Sequence, residues 1–192
     1  MINIVLFGPP GSGKGTQAQS LIKKFDLKQL STGDLFRNNI KNETELGKLA
    51  KTYIDKGVLV PDEVTTRMLV DELEKNTETK GFIFDGYPRT AKQTEALEKI
   101  VAEVLNDKIA ICLSLVVEDE ILVKRLLERG KISKRSDDAD EKIIRSRIKE
   151  YYEKTAEVAE LYKKQDKYVE VNGVGNIEEI AQKLFSEVEK VI

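Results

Sequence analysis

The N-terminal segment constrains the fold most, because an apolar run passes through a glycine-rich loop into a helix-like pattern. Residues 2–7 read INIVLF, residues 8–16 read GPPGSGKGT, and a polar helical pattern covers residues 14–25. A short apolar run bounded by Gly and Pro favours a buried strand. Glycines let successive backbone N–H groups point inward, and a helix N-terminus adds partial positive charge. The segment therefore predicts a loop that binds phosphate groups.

Two side chains of this loop bear on what it binds. Lys14 is placed to reach the outer phosphates of a nucleoside triphosphate. The hydroxyl that helps to hold Mg²⁺ normally follows the lysine directly, but here Gly15 precedes Thr16, which leaves the role of Thr16 open. A plain glycine-rich turn is the alternative, and the order of strand, loop and helix argues against it. A dinucleotide-binding loop is disfavoured too: Asp34 lies near the distance of its ribose-binding acid, but Lys14 fits a triphosphate site.

The rest of the chain alternates between strand-like and helix-like patterns. This alternation predicts one α/β domain over residues 1–192, with five buried parallel strands in a three-layer, doubly wound arrangement. The further strand-like runs are residues 82–84, 109–117 and 168–171, with a weaker run ending near Ser31. The further helical patterns cover residues 34–41, 45–56, 62–76, 90–104, 119–129, 140–165 and 177–191.

Two scarce residue types exclude several chemistries. The chain has no histidine and one cysteine, Cys112, which rules out Ser-His-Asp and Cys-His catalysis, an internal disulfide and the common zinc sites. Cys112 lies in an apolar run and is expected in the core. The net charge of −2 argues against a nucleic acid partner, no apolar window is long enough for a membrane span, and MINIVLF does not resemble a signal peptide. A cytoplasmic protein is expected.

The remaining candidate site residues carry carboxylate or guanidinium groups. Asp85 follows an apolar run, where it either orients hydrated Mg²⁺ or serves as a turn residue. Arg37 and Arg89 follow glycine-containing loops at strand ends, where ligands bind in such sheets, and guanidinium groups bind phosphate bidentately. Arg125 and Arg129 are four residues apart and share one helix face. These cations favour a phosphotransferase with a second phosphate pocket over a GTPase-type switch, whose Asn-Lys-x-Asp tetrad is absent.

Five segments together resemble the adenylate kinases, a family of nucleoside monophosphate kinases. The resemblance spans residues 1 to about 175 in the family's order. It implies the P-loop NTPase type of α/β fold, with a core of residues 1–30, 61–129 and 139–192, an inserted NMP-binding segment at 31–60 and a short lid at 130–138. The segments are GPPGSGKGT (8–16), STGDLFR (31–37), FDGYPRTAKQ (84–93), RLLERG (125–130) and RSDD (135–138).

The resemblance implies reversible transfer of the terminal phosphate of ATP to AMP, giving two ADP, in adenine nucleotide homeostasis. It implies Mg²⁺ bound with ATP, no structural zinc, no nucleic acid or membrane partner, and a monomer. The nucleophile would be an AMP phosphate oxygen that is already largely ionised, so no general base is needed. The nearest alternative is a pyrimidine monophosphate kinase, and the alternative from another class is a nucleotide-binding switch without transfer activity.

The resemblance also implies roles for individual residues. The ATP phosphate loop comprises Gly11, Ser12, Gly13, Lys14, Gly15 and Thr16, with Arg129 at the ATP phosphates and Gly175 against the ATP base. The AMP site comprises Thr32 and Gln93 at the base, Val58, Leu59 and Val60 beside it, Arg37 and Arg89 at the phosphate, the loop of Gly86, Tyr87 and Pro88 with a cis bond before Pro88, and Arg135 and Arg147 from the lid. The catalytic set is Lys14, Asp85, Arg89, Arg125, Arg129, Arg135 and Arg147. Mg²⁺ would contact Thr16 and Asp85 only through water.

Two assignments near the lid stay open. Counting from Arg135 places the second lid arginine at Arg145 or Ser146, whereas counting back from Tyr151 places it at Arg147, which we prefer. Asp137 and Asp138 either form a surface turn or, as the resemblance implies, set the lid arginines or hydrated Mg²⁺. Closure of the NMP-binding segment and the lid over both substrates is a further expectation from the resemblance.

Overall fold

Five parallel strands form one sheet in the computed structural model, which describes residues 1–133 and 135–192. The spatial order of the strands is β2-β3-β1-β4-β5. The strands are β1 (Ile2–Phe7), β2 (Lys28–Ser31), β3 (Gly81–Asp85), β4 (Ile111–Val116) and β5 (Tyr168–Asn172). The helices are α1 (Lys14–Phe25), α2 (Thr32–Lys41), α3 (Glu45–Ile54), α4 (Asp62–Glu74), α5 (Ala91–Leu105), α6 (Asp119–Ser133), α7 (Glu141–Lys163) and α8 (Ile177–Glu189), with a 3₁₀ turn at Ser136–Asp138.

Helices cover both faces of the sheet, which confirms the predicted three-layer α/β fold. Successive side chains of a strand point to opposite faces, so alternate residues of the central strands enter two separate cores. One core packs Val5, Phe84 and Cys112 against α4, α5 and α7. The other packs Ile4 and Leu113 against α1 and α8. The near-continuous apolar strands are thus explained by burial on both sides, and Cys112 is a core residue as expected.

The end of α6 departs most from the sequence prediction. All other element boundaries fall within two residues of those predicted, but α6 continues to Ser133 rather than ending at residue 129. Gly130 reads as a helix terminator in the sequence. In the structure it allows close packing instead, because a Cβ there would lie 2.4 Å from the carbonyl oxygen of Asp138. The predicted lid therefore begins as helix, and Lys134 within it lies outside the described residues.

The insertion between β2 and β3 has an apolar cluster of its own. Phe36 from α2, Ala50 from α3, Met68 from α4 and Val60 just before α4 are buried together. This packing holds α2 and α3 over the carboxyl end of the sheet, where β1 and β3 end in glycine-containing turns. Among residues 1–133 and 135–192, no helix combines the length and the apolar character that crossing a bilayer requires.

Candidate active site

One cleft of about 790 Å³ opens at the carboxyl ends of the strands. Ligand sites of open α/β sheets occur at this edge, because the loops after neighbouring strands meet there. The cleft lining includes every residue that the sequence singled out for a role with ATP or AMP, although residues distant in the chain supply it. These are Gly11, Ser12, Gly13, Lys14, Gly15, Thr16, Thr32, Arg37, Val58, Leu59, Val60, Asp85, Gly86, Tyr87, Pro88, Arg89, Gln93, Arg125, Arg129, Arg135, Arg147 and Gly175.

The phosphate loop wraps around the ammonium group of Lys14. Gly11 and Gly13 adopt φ values of +83° and +98°, which only glycine reaches readily. Lys14 Nζ donates to the carbonyl oxygen of Gly8 at 2.7 Å and to that of Pro9 at 3.0 Å. Ser12 Oγ is buried and has no hydrogen-bond partner within the described residues. The loop thus presents a buried cation and an unsatisfied hydroxyl at one end of the cleft.

Burial and neighbouring cations lower the pKa of Lys14 to about 8. Removal from water is the largest cause, and Arg89, Arg129 and Arg147 add to it, while Asp85 opposes it. The pKa of Arg89 is also lowered, by burial first and then by Arg147. Positive charges held close together in a partly dry site destabilise one another. An anionic ligand such as a polyphosphate would relieve this repulsion.

Asp85 ends β3 and faces the loop. Gln29 Nε2 from β2 donates to Asp85 Oδ2 at 3.0 Å, and Asp85 lines the cleft. No group of three or more Asp, Glu, Cys or His side chains in residues 1–133 and 135–192 is placed to hold a metal ion. The donor set fits Mg²⁺, which usually takes one or two carboxylates and completes its shell with water and substrate phosphates.

Asp138 holds two arginines side by side above the cleft. Its oxygens accept from Arg129 Nε at 2.7 Å and Nη2 at 3.0 Å, and Oδ1 also accepts from Arg147 Nη1 at 2.6 Å. The Asp138 side chain is fully buried. Burial opposes its ionisation, but the hydrogen bonds and charges of Arg129 and Arg147 outweigh that effect and lower its pKa. Asp137 is also buried and contacts Arg147, so this pair does not form the exposed surface turn that the sequence left open.

The structure separates the two candidate lid arginines. Arg147 lies in the cleft and donates to the carbonyl oxygen of Asp137 at 2.9 Å. Arg145 points away and makes ion pairs with Glu120 and Glu141 on the outer surface. Residues two apart on a helix lie about 200° apart around its axis, so only one of the two can face the cleft.

The turn after β3 forms the opposite end of the cleft. Thr32 Oγ1 donates to the carbonyl oxygen of Gly86 at 3.0 Å, and Arg89 Nε donates to the same oxygen at 2.7 Å. The peptide bond between Tyr87 and Pro88 is cis, as the family resemblance implied. Tyr87 is buried, and its hydroxyl pairs with Thr66 Oγ1 at 2.9 Å.

Gln93 is held from both sides, by the backbone of Arg89 and by Asp62, a residue that the sequence did not single out. Its Oε1 accepts from the backbone N–H of Arg89 at 2.7 Å, and its Nε2 donates to Asp62 Oδ1 at 2.7 Å. Asp62 Oδ2 also accepts from Thr90 Oγ1 at 3.1 Å. In the sequence, Asp62 reads only as an acidic residue after Pro61 at a helix start. No local signal connects it to Gln93, 31 positions away.

Two polar contacts join the segments on either side of the cleft. Ser136 Oγ, in the 3₁₀ turn, donates to Asp55 Oδ1 at 2.8 Å. Arg135 lies 3.7 Å from Asp34 of α2. These contacts connect α2 and the end of α3 to the segment around the 3₁₀ turn, and Asp34 and Arg135 also line the cleft.

Comparison with known proteins places this architecture in one family. A family model described as "Adenylate kinase" matches residues 6–167. The chain is 54% identical over 191 residues to an adenylate kinase of Flavobacterium johnsoniae, with all of both chains covered, and 58% identical over 184 residues to that of Flavobacterium psychrophilum, with 96% of each covered. It is 44% identical over 185 residues to an adenylate kinase of Thermobifida fusca, covering 96% of this chain and 97% of the relative. The chain therefore belongs to the adenylate kinase family, whose members are phosphotransferases.

Proposed function

We propose that this chain transfers the terminal phosphate of ATP to AMP, giving two ADP, within the single cleft described above. The observation that carries the proposal is the arrangement of that cleft, which has the phosphate loop at one end and a pocket with Thr32 and Gln93 at the other. The cations between them are Lys14, Arg89, Arg129 and Arg147. Two nucleotides lying with their phosphates toward each other would place the reacting groups among these cations.

The proposed rate acceleration comes from positioning and charge neutralisation. The attacking phosphate oxygen of AMP is largely ionised at neutral pH, so the site needs no general base. Arg89 and Arg37 orient the acceptor phosphate, while Lys14, Arg125 and Arg129 bind the phosphates of ATP. Arg135 and Arg147 approach from the lid side. Removal of one preorganised donor typically costs about 10²- to 10³-fold in rate.

Mg²⁺ is proposed as the cofactor that accompanies ATP. When bound, it neutralises negative charge on the ATP phosphates. Asp85 and Thr16 would hold it through water, consistent with the single carboxylate at this end of β3 and the exposed position of Thr16. Asp85 and Thr16 would thus orient the water molecules around Mg²⁺ and would not bind the ion directly.

The acceptor base is proposed to lie between Thr32 and Gln93. Val58, Leu59 and Val60 line the cleft beside them and supply backbone and apolar contacts. A hydroxyl and an amide together match the exocyclic amine and ring nitrogen of adenine. This arrangement supports AMP as the acceptor over pyrimidine monophosphates.

We propose that residues 31–60 act as the NMP-binding segment and residues 130–138 as a short lid, inserted into a core of residues 1–30, 61–129 and 139–192. Their contacts through Asp55 and Ser136 support closure over bound substrates. Closure would exclude water, which otherwise competes with AMP for the phosphate. The proposal extends to a monomer in the cytoplasm, as the family resemblance implies.

A coupled assay with ATP and Mg²⁺ tests the proposal against AMP, GMP, CMP, UMP and adenosine as acceptors. We expect AMP to give the highest kcat/KM and adenosine to give no transfer. Arg89→Ala should lower kcat/KM for AMP by about 10²-fold or more, because it removes a phosphate donor. Arg145→Ala is the matched control, since Arg145 faces away from the cleft. A preference for UMP or CMP would favour a pyrimidine kinase, and nucleotide binding without transfer would favour a switch.

A further inference from the structure

We propose that Asp62 is a positioning residue that sets the preference of the acceptor pocket for adenine over other purines by fixing the orientation of the Gln93 amide. This inference rests on the proposed function, in which Gln93 reads the acceptor base. A side-chain amide carries a donor at one end and an acceptor at the other, and rotation by 180° exchanges them. The base that Gln93 recognises therefore depends on the positions of its amide oxygen and amide nitrogen in the pocket.

Each end of the Gln93 amide faces a partner that can form only one kind of hydrogen bond, as an acceptor at one end and as a donor at the other. The Asp62 carboxylate can only accept when ionised, and it lies 2.7 Å from Nε2. The backbone N–H of Arg89 can only donate, and it lies 2.7 Å from Oε1. A flipped amide would place donor against donor at Arg89 and acceptor against acceptor at Asp62. Gln93 is also almost completely buried, with 2% of its surface exposed, so water does not replace a lost bond readily.

Asp62 is itself held in place by the ends of two helices. It is the first residue of α4, where a carboxylate is favoured by the helix dipole. Its second oxygen accepts from Thr90 Oγ1 at 3.1 Å, and Thr90 Oγ1 accepts from the backbone N–H of Gln93 at 3.1 Å to cap α5. The side chains of Asp62, Thr90 and Gln93, together with the backbone N–H of Gln93, thus form a closed hydrogen-bonded ring that joins α4 to α5.

The fixed amide leaves one Nε2 hydrogen and one Oε1 lone pair for a ligand. Thr32 presents a second acceptor, because its hydroxyl hydrogen is donated to the carbonyl oxygen of Gly86. Adenine offers an amine donor beside a ring-nitrogen acceptor, which this order of groups can satisfy. Hypoxanthine and guanine offer a carbonyl acceptor beside a ring N–H donor, so with the base in the same position both pairs would be mismatched. Unpaired groups in a buried site are rejected strongly.

The test compares AMP with inosine monophosphate as acceptor at saturating ATP and Mg²⁺. Inosine monophosphate differs at the reading edge without the extra 2-amino group of guanine. For Asp62→Asn we expect the ratio of kcat/KM for AMP over inosine monophosphate to fall at least tenfold, mainly through KM of the acceptors, with KM for ATP unchanged. Asparagine can accept or donate toward Gln93, so it no longer selects one orientation. Asp62→Glu keeps an acceptor-only group and should retain more of the preference.

Glu63→Gln is the matched control, because it removes the same charge from the same helix turn at an exposed position. It should leave the ratio unchanged. In a Gln93→Ala background, Asp62→Asn should lower the ratio no further, because Asp62 acts through Gln93. If Asp62→Asn raises KM for both acceptors equally and keeps the ratio, Asp62 is only structural and the inference is wrong. If Gln93→Ala leaves the ratio and KM for AMP unchanged, the proposed base site itself is wrong.

Discussion

The two ends of the cleft are stabilised in opposite ways. In the acceptor pocket, Thr32 donates a hydrogen bond to Gly86 and Gln93 donates one to Asp62. Asp62 and Gln93 are anchored in turn by the starts of α4 and α5. In the phosphate region, Lys14 and Arg89 are cations in a crowded, partly dry space, and burial lowers the pKa of each. The first arrangement fixes the orientation of its polar groups before a ligand binds, whereas the second holds an excess of positive charge.

This difference suggests that the two regions have separate functions. Preformed hydrogen bonds select the base, because their order of donors and acceptors is fixed before binding. Uncompensated charge drives binding and transfer of phosphates, because phosphates neutralise cations that the fold has brought together at a cost. Changes in the phosphate region should therefore affect kcat and ATP affinity, and changes in the acceptor pocket should affect the choice of substrate.

The largest effect is expected for Lys14→Met. The change removes the buried ammonium that reaches the ATP phosphates, so kcat should fall by about 10³-fold. Steady-state kinetics with AMP and ATP measure the loss, and circular dichroism checks the fold. Lys23→Met is the control, because Lys23 is exposed in the last turn of α1. Similar losses in both variants would contradict the role given to Lys14.

Asp138→Asn should have the next largest effect. An amide cannot hold both arginines as the buried carboxylate does, so Arg129 and Arg147 would shift from their positions over the phosphates. Displacement of positioning groups by about 1 Å can cost about 10²-fold in rate, and we expect a loss of about 10- to 10²-fold in kcat. Glu128→Gln on the exposed side of α6 serves as the comparison. An unchanged kcat would show that the Asp138 pairs do not position the arginines for catalysis.

A pH profile should separate Lys14 from the neighbouring arginines. With a pKa of about 8 in the free protein, Lys14 is charged below pH 8 and loses its charge as the pH rises through that value. Because ATP binds the charged form, kcat/KM for ATP should be level below about pH 7 and fall above about pH 8, by up to tenfold per pH unit. In Lys14→Arg the fall in kcat/KM should move to a pH well above 8, since arginine stays protonated there. The same fall in Lys14→Arg would assign it to another group.

Tyr87→Phe should produce the smallest of these effects. The change removes the partly buried hydrogen bond to Thr66 and should lower the free energy of unfolding by about 1 kcal/mol, which urea denaturation can measure. Tyr152→Phe is the matched control, because its hydroxyl bonds to Asp119 at the exposed surface, and it should change stability by less than about 0.5 kcal/mol. Equal losses in the two variants would mean that the acceptor loop is not anchored as described.

Local patterns predicted most of the fold. The strand, loop and helix of residues 2–25 follow one another directly in the sequence, and α1 has the predicted bounds. The exception at α6 arose because Gly130 has two physical uses, helix termination and close packing, and only the contact with Asp138 distinguishes them. A glycine that permits contact with a distant segment looks the same in sequence as one that ends a helix.

The candidate site was predictable only in part. Residues on short glycine-containing loops, such as Lys14 and Arg89, carried a local signal. Asp62 carried none, because its partner Gln93 lies on another helix, and an acidic residue at a helix start is common without any such partner. Counting back from Tyr151 favoured Arg147 over Arg145, but which of the two lines the cleft depends on the orientation of α7, which is set by packing of that helix against α6 and the sheet.

The central claim is that one chain binds two nucleotides with their phosphates adjoining in a single cleft. Isothermal titration with P¹,P⁵-di(adenosine) pentaphosphate, set against ATP and AMP alone, tests it most directly. Linking two bound groups can raise affinity by about 10²- to 10⁴-fold when the linker spans both sites. We expect one linked molecule to bind per chain, at least about 10²-fold more tightly than ATP. Binding no tighter than that of ATP, or with two molecules per chain, would contradict it.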